Sequence, residues 1–171
     1  GIPEEDLTRF WRNAFAHERT MIELRRTGSA DAFERGLELL SFYDDATDPQ
    51  LVATMAGMKA RLHRDFGDWE GCYRHALTID PQLAVAGLWH AVTAAAWLRD
   101  PERLEAAAAA LAASTDELPG MADYIAAIGD ALSGQTGQAS PRFARVVEDW
   151  KIRILGTELA QAQATFALLV G

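Results

Sequence analysis

The chain has 171 residues, and its 49% hydrophobic and 24% charged residues are typical of a folded globular protein rather than a disordered or fibrous one. The formal net charge of −9 argues against direct binding of nucleic acid, because the average surface repels phosphate. Cys72 is the only cysteine, which excludes an intramolecular disulfide and favours a reducing, cytoplasmic compartment.

The first predicted helix has apolar residues at helical spacing, which we place on one stripe. These residues are Leu7, Phe10, Trp11, Ala14, Phe15, Met21 and Ile22. The same helix contains five arginines interleaved with acidic residues, a pattern that indicates a solvated mixed face. The arginines are Arg9, Arg12, Arg19, Arg25 and Arg26.

Helical periodicity continues along the whole chain, and strand alternation is almost absent. Nine helices are predicted, at approximately 4–27, 31–46, 49–66, 68–79, 81–98, 101–114, 120–133, 138–155 and 157–170. Three Asp-Pro pairs, at 48–49, 80–81 and 100–101, each combine an N-cap acceptor with a proline suited to the first helical position. Helix stops or tight turns are expected at Gly28, Gly67, Gly134, Gly137 and Gly156.

The most apolar stretch, Leu83 to Leu98, is interrupted only by His90 and Thr93. It is shorter than the ~20 residues that a bilayer requires, so it predicts a buried central helix and no membrane partner. The length of the chain predicts one domain over residues 1–171. The chain opens with Gly1-Ile2-Pro3, which is neither an initiating methionine nor a signal peptide, and we expect it to be a piece of a larger protein.

Short connections predict antiparallel neighbouring helices, and the starts of successive helix pairs predict a repeat. Pro49-Gln50-Leu51 recurs as Pro81-Gln82-Leu83, and further pairs begin at Pro119 and Gly156, so the spacings are 32, 38 and 37 residues. Periods of this length are typical of helical-repeat arrays.

The segment from Gly67 through Cys72 resembles the start of the second helix of a tetratricopeptide repeat, and residues 76–81 resemble its closing alanine, leucine and proline. The stretch from Phe143 to the C-terminus is similar to the degenerate helical repeats of large bacterial signalling and transcription regulators. The resemblance implies an all-α, right-handed solenoid of antiparallel helix pairs and a role in interaction or sensing.

Asp44, Asp45 and Asp48 spell DDxxD, the pattern with which prenyl-transferring and terpene-cyclising enzymes hold magnesium and diphosphate. The competing interpretation is that Asp48 caps the following helix while Asp44 and Asp45 lie in a loop. We favour this second interpretation, because no second aspartate motif accompanies the first.

Histidine and cysteine residues give further candidates. His17 begins a zinc-helix pattern, but Met21 stands where the second histidine is needed. His63 and His75, with Asp65, could meet across the turn at Gly67, although exposed histidines at helix ends are commoner than ligands. His90 and Cys72 are expected in the core, with the His90 ring bound to a backbone carbonyl. A ligand-sensing role for His90 is the alternative.

The leading hypothesis is a non-catalytic protein–protein interaction module whose concave surface binds a protein or peptide, without cofactor or metal. Candidate lining residues are Met55, Lys59, His90, Thr93, Asp123 and Tyr124. The first alternative is an effector-sensing domain with a ligand pocket between the alanine-rich helices 81–98 and 101–114. A magnesium-dependent diphosphate enzyme that uses the DDxxD carboxylates is the remote alternative, and a homodimer stays open.

Overall fold

The structure is a computed structural model that describes residues 4–83, 85–114, 119–153 and 156–171. These residues form nine α-helices and no strand, which confirms the predicted all-α class. The helices are α1 Glu4–Thr27, α2 Ala30–Ser41, α3 Pro49–Phe66, α4 Trp69–Ala76, α5 Val85–Leu98, α6 Pro101–Ala112, α7 Met121–Leu132, α8 Thr136–Arg153 and α9 Gly156–Val170.

Two of the three Asp-Pro pairs start helices as predicted. Asp48 and Asp100 each accept the backbone N–H three residues later, at 2.8 and 3.0 Å, and a proline opens both α3 and α6. The prediction for Asp80 is wrong: its carboxylate accepts the N–H two residues later, at 2.9 Å, and α5 begins only at Val85. An aspartate that closes this shorter ring stabilises a turn instead of a helix start.

Three of the five predicted glycine stops are confirmed, and Gly156, which opens α9, adjoins residues 154–155 outside the described part of the chain. Gly28, Gly67 and Gly134 have positive φ angles of 63°, 91° and 77°, the left-handed conformation that ends helices at low cost for glycine. Gly137 instead lies in the first turn of α8, so its predicted turn role is wrong. Helix α2 also ends five residues earlier than predicted, because residues 42–45 form turns.

Every helix packs against the next one in chain order. The odd-numbered helices also contact one another in succession, from α1 through α3, α5 and α7 to α9. In the described part of the chain no two even-numbered helices bring their backbones together, although side chains join α4 to α6, where Arg103 pairs with Glu70 at 2.6 Å. One further contact joins α9 directly to α5, so that α5 packs against α3, α4, α6, α7 and α9.

Over the described residues, the buried apolar side chains form three clusters. The largest extends from α3 to α9 around Tyr124, Phe143 and Trp150, a second joins α1, α2 and α3 around Met21 and Leu40, and a small one lies between α3 and α5. Residues 91–96 of α5 are all buried, which confirms the predicted central helix. None of the helices, over the described residues, has the length and apolarity needed to cross a membrane.

Small residues bring α3 and α5 together. A Cβ atom built on Gly87 would lie 3.5 Å from the Cα atom of Gly57 and 2.5 Å from the Cδ1 atom of Ile79. The missing side chains therefore allow the two backbones to approach closely. The small residues of α5 likewise serve close helix packing.

Candidate functional site

The six residues predicted to bind a partner do not share one open surface. Thr93 and Tyr124 have no exposed surface, and their hydroxyl oxygens lie 3.4 Å apart. Met55 and His90 are also buried. Only Lys59 and Asp123 of the six are partly exposed.

Helix α9 covers the side of α5 and α7 where the sequence placed the concave surface. The Nε1 atom of Trp97 donates to the Oγ1 atom of Thr165 at 3.1 Å, and Arg99 donates to the carbonyl oxygen of Leu168 at 3.1 Å. These bonds tie the C-terminal end of α5, and the residue that follows it, to α9. A partner-binding surface therefore has to use other residues.

His90 belongs to a buried ionic network rather than to an open site. Its Nδ1 atom lies 3.4 Å from the Arg64 guanidinium, which pairs with Asp65 at 2.7 Å and stacks over Trp89. A guanidinium only donates, so Nδ1 accepts, and the predicted carbonyl partner stays a prediction for the other ring nitrogen. Burial lowers the pKa of His90 well below its ordinary value, with a further contribution from Arg64, so the ring is neutral at pH 7.

The other histidine and cysteine candidates are engaged in structural contacts. His63 and His75 do meet across the turn at Gly67, with ring centroids 4.9 Å apart. His63, however, bonds to Asp68 at 2.7 Å, and Asp65 pairs with arginines instead of joining the two rings. Over the described residues, no group of three His, Cys, Asp or Glu side chains is arranged to hold a metal ion. Burial raises the pKa of the Cys72 thiol to about 12, which leaves it protonated in the core as predicted.

The DDxxD carboxylates do not lie on one helix face. Asp44 and Asp45 lie in the turns after α2, and Asp44 pairs with Lys59. Asp48 caps α3, as the competing interpretation predicted.

A cavity of about 310 Å³ opens between α1, α2 and α3. Its walls are mainly apolar, and half of the polar side chains that line it lie on the α3 side. The lining residues are Asn13, Ala14, His17, Leu39, Leu40, Tyr43, Asp48, Gln50, Leu51, Thr54, Met55 and Met58.

His17 is the unusual member of this cavity wall. The residue is only 1% exposed, and neither ring nitrogen has a hydrogen-bond partner among the described residues. Burial lowers the pKa of His17, so the ring is neutral at pH 7. The sequence carried a signal for this burial, since His17 lies three residues after Ala14 and four before Met21 on the inner side of α1.

The outer side of α1 is also apolar. Trp11, Phe15 and Ile22 are 53%, 68% and 64% exposed. At 3.6 residues per turn they lie within about 40° of one another, on the side away from Met21 and Leu24. The single predicted stripe of α1 is therefore two stripes, one buried and one exposed.

Three exposed arginines, Arg12, Arg19 and Arg26, line the edge of this exposed stripe. Their seven-residue spacing keeps them nearly in line along the helix. No described residue forms an ion pair with any of the three, whereas Glu18 pairs with Arg61 and Glu23 with Arg35. Arg19 and Arg26 also border a surface groove of about 490 Å³, together with Ile22 and Arg35. The predicted mixed face thus has a basic edge.

No family model matches the chain, and no curated protein or solved structure does either. The resemblance of residues 67–81 to a tetratricopeptide repeat therefore stays a prediction.

Proposed function

We propose that this chain is a non-catalytic protein-interaction module that binds its partner through the outer face of α1. The observation that carries the proposal is the exposed row of Trp11, Phe15 and Ile22, on a helix whose opposite side is already buried. Large apolar side chains exposed as a contiguous group are typical of docking surfaces. Aromatic residues also dominate the binding energy of interfaces.

The charges beside this row favour one class of partner. Arg12, Arg19 and Arg26 have no ion-pair partner among the described residues, in a chain of net charge −9. An amphipathic helix with apolar anchors and flanking carboxylates would match both the apolar row and the basic edge. We therefore propose an acidic amphipathic helix of another protein as the partner.

A lipid surface is a competing partner for an arginine-bearing amphipathic helix with aromatic residues. Glu18 counts against it, because its carboxylate lies on the same side of α1 as the apolar row and would have to enter the lipid.

The proposed scaffold is a right-handed, tetratricopeptide-like stack of antiparallel helix pairs. The contacts between successive helices and between successive odd-numbered helices support it, because such arrays bury their apolar faces in this way. A setting in a bacterial regulatory or signalling protein rests on the resemblance of the C-terminal stretch alone.

A helical peptide library tests the partner class. Its members carry apolar anchors at helical spacing and flanking positions that vary from acidic to basic. The chain should select the acidic members. Phe15→Ser should weaken their binding about thirtyfold, the loss of ~2 kcal/mol typical of an interface anchor. Arg19→Glu should weaken binding several-fold and reduce its dependence on salt.

Two matched variants serve as controls. Leu77→Ser removes an exposed apolar side chain on α4's C-terminal cap, and Arg74→Glu reverses an exposed charge on α4, so both should bind as the wild type does. The proposal fails if no peptide is selected, or if Phe15→Ser and Arg19→Glu bind normally. Trp11-dependent binding to phosphatidylcholine–phosphatidylserine vesicles would replace it with a membrane function. Trp11-dependent dimerisation in sedimentation would replace it with self-association.

A further inference from the structure

The cavity between α1, α2 and α3 combines an apolar interior with a single buried polar group. Leu39, Leu40 and Leu51 supply carbon surface, and Met55 and Met58 supply flexible side chains that adapt to different shapes. At about 310 Å³ the cavity is at the lower end of the range for small-molecule sites. A small and largely apolar molecule would fit these walls.

The His17 ring determines the polar part of such a molecule. A neutral imidazole donates from one nitrogen and accepts at the other, and neither nitrogen of His17 has a partner in the part of the chain that the structure describes. Leaving such a buried group unpaired is costly, and a hydroxyl can both donate and accept.

Charge in the cavity wall argues for an uncharged ligand. The one carboxylate that lines it, Asp48, already accepts the N–H of Leu51 at the start of α3. The lining residues include no lysine or arginine that could neutralise an anion. We propose that this cavity binds a small apolar molecule with one uncharged hydroxyl group, and that His17 is its hydrogen-bond partner.

This site is separate from the proposed docking face. The cavity is lined by Asn13, Ala14 and His17 on the inner side of α1, whereas the docking row lies on the outer side. The two proposals can therefore fail independently: a chain that does not bind the ligand can still bind its partner, and a chain that does not bind its partner can still bind the ligand.

The experiment uses 4-propylphenol and propylbenzene, which differ only in the hydroxyl group. In the wild-type chain with labelled methionine methyl groups, 4-propylphenol should shift the Met55 and Met58 signals in a saturable manner. The signal of Met121, which lies in the largest core cluster, should not move. Propylbenzene should bind about tenfold more weakly, the equivalent of one hydrogen bond.

Two variants locate the site and identify the polar contact. Ala14→Leu fills the cavity and should abolish binding of both compounds, whereas Ala109→Leu on the exposed side of α6 should not. His17→Phe should bind both compounds with equal affinity. The proposal is overturned if wild-type chain shows no saturable shift, which would indicate that water alone satisfies His17. It is also overturned if Ala14→Leu still binds, or if His17→Phe keeps the preference for the phenol.

Discussion

His17 and His90 are both buried neutral imidazoles, yet their surroundings predict opposite effects of the same substitution. The ring nitrogens of His17 have no partner among the described residues, whereas Nδ1 of His90 accepts from Arg64. A phenyl ring has a similar shape and no polar atoms. It would therefore relieve the unpaired nitrogens of His17 but would remove a hydrogen bond from a buried guanidinium at position 90.

We expect His17→Phe to raise the free energy of unfolding by about 1–2 kcal/mol, because an unsatisfied buried polar group is removed. His90→Phe should lower it by about 1–3 kcal/mol, because Arg64 loses an acceptor. Urea denaturation at pH 7.5 measures both. A destabilised His17→Phe would contradict the expectation and would mean that the ring has a partner in solution.

Residue burial in α1 shows what sequence reasoning could and could not supply. Helical periodicity correctly identified an amphipathic helix, but Trp11 and Met21 were assigned to one stripe although only Met21 is buried. Both sides of α1 contain apolar residues, so periodicity alone could not decide which side faces α2 and α3. His17 and Thr20 are polar and yet lie on the buried side, although polar residues usually mark the side of a helix that faces solvent.

At the scale of helices, the Asp-Pro pairs were informative because capping is a local interaction. Asp48 and Asp100 have an extended backbone and cap the helix that follows them. The Asp-Pro pair that begins at Asp80 forms a turn instead. The difference lies in which backbone N–H each carboxylate accepts. The dipeptide alone does not determine that choice.

The Asp48 cap should be worth a measurable amount of stability. Asp48→Ala removes the acceptor of the Leu51 N–H and should lower the free energy of unfolding by about 1 kcal/mol. Asp80→Ala should cost less, since no helix start depends on that carboxylate. Thermal denaturation of the two variants side by side measures the difference. Equal losses would indicate that Asp48 acts as an ordinary turn residue.

At the scale of the whole molecule, the contact of α9 with α5 determines which side of α5 is closed to a binding partner. The number and order of the helices followed from caps, glycines and periodicity, which are all local in sequence. The return of α9 onto α5 depends on packing between helices that are far apart in sequence, and no local pattern carries that information. For this reason Thr93 and Tyr124 were placed on an open surface although they are buried, whereas His90 is buried against Arg64 of α3.

Three histidines should make the stability of the whole fold sensitive to mild acid. Burial lowers the pKa of His17 and His90, and burial together with His63, Lys59 and Arg74 lowers the pKa of His75 to about 4. In the unfolded chain these rings bind protons near pH 6.5, so the unfolded state binds more protons than the folded state as the pH falls below that value.

The contribution of these neutral rings to stability is therefore fully present above about pH 7. At lower pH the free energy of unfolding should decrease, by up to ~1.4 kcal/mol per pH unit for each ring that stays neutral in the fold. Urea midpoints measured at about pH 7.5, 6.5 and 5.5 test this expectation, because these values bracket the ordinary histidine pKa of about 6.5. His17→Phe should reduce the slope, because one ring no longer contributes. A midpoint that is constant over this range would show that the buried rings take up protons as readily as free histidine, which their burial argues against.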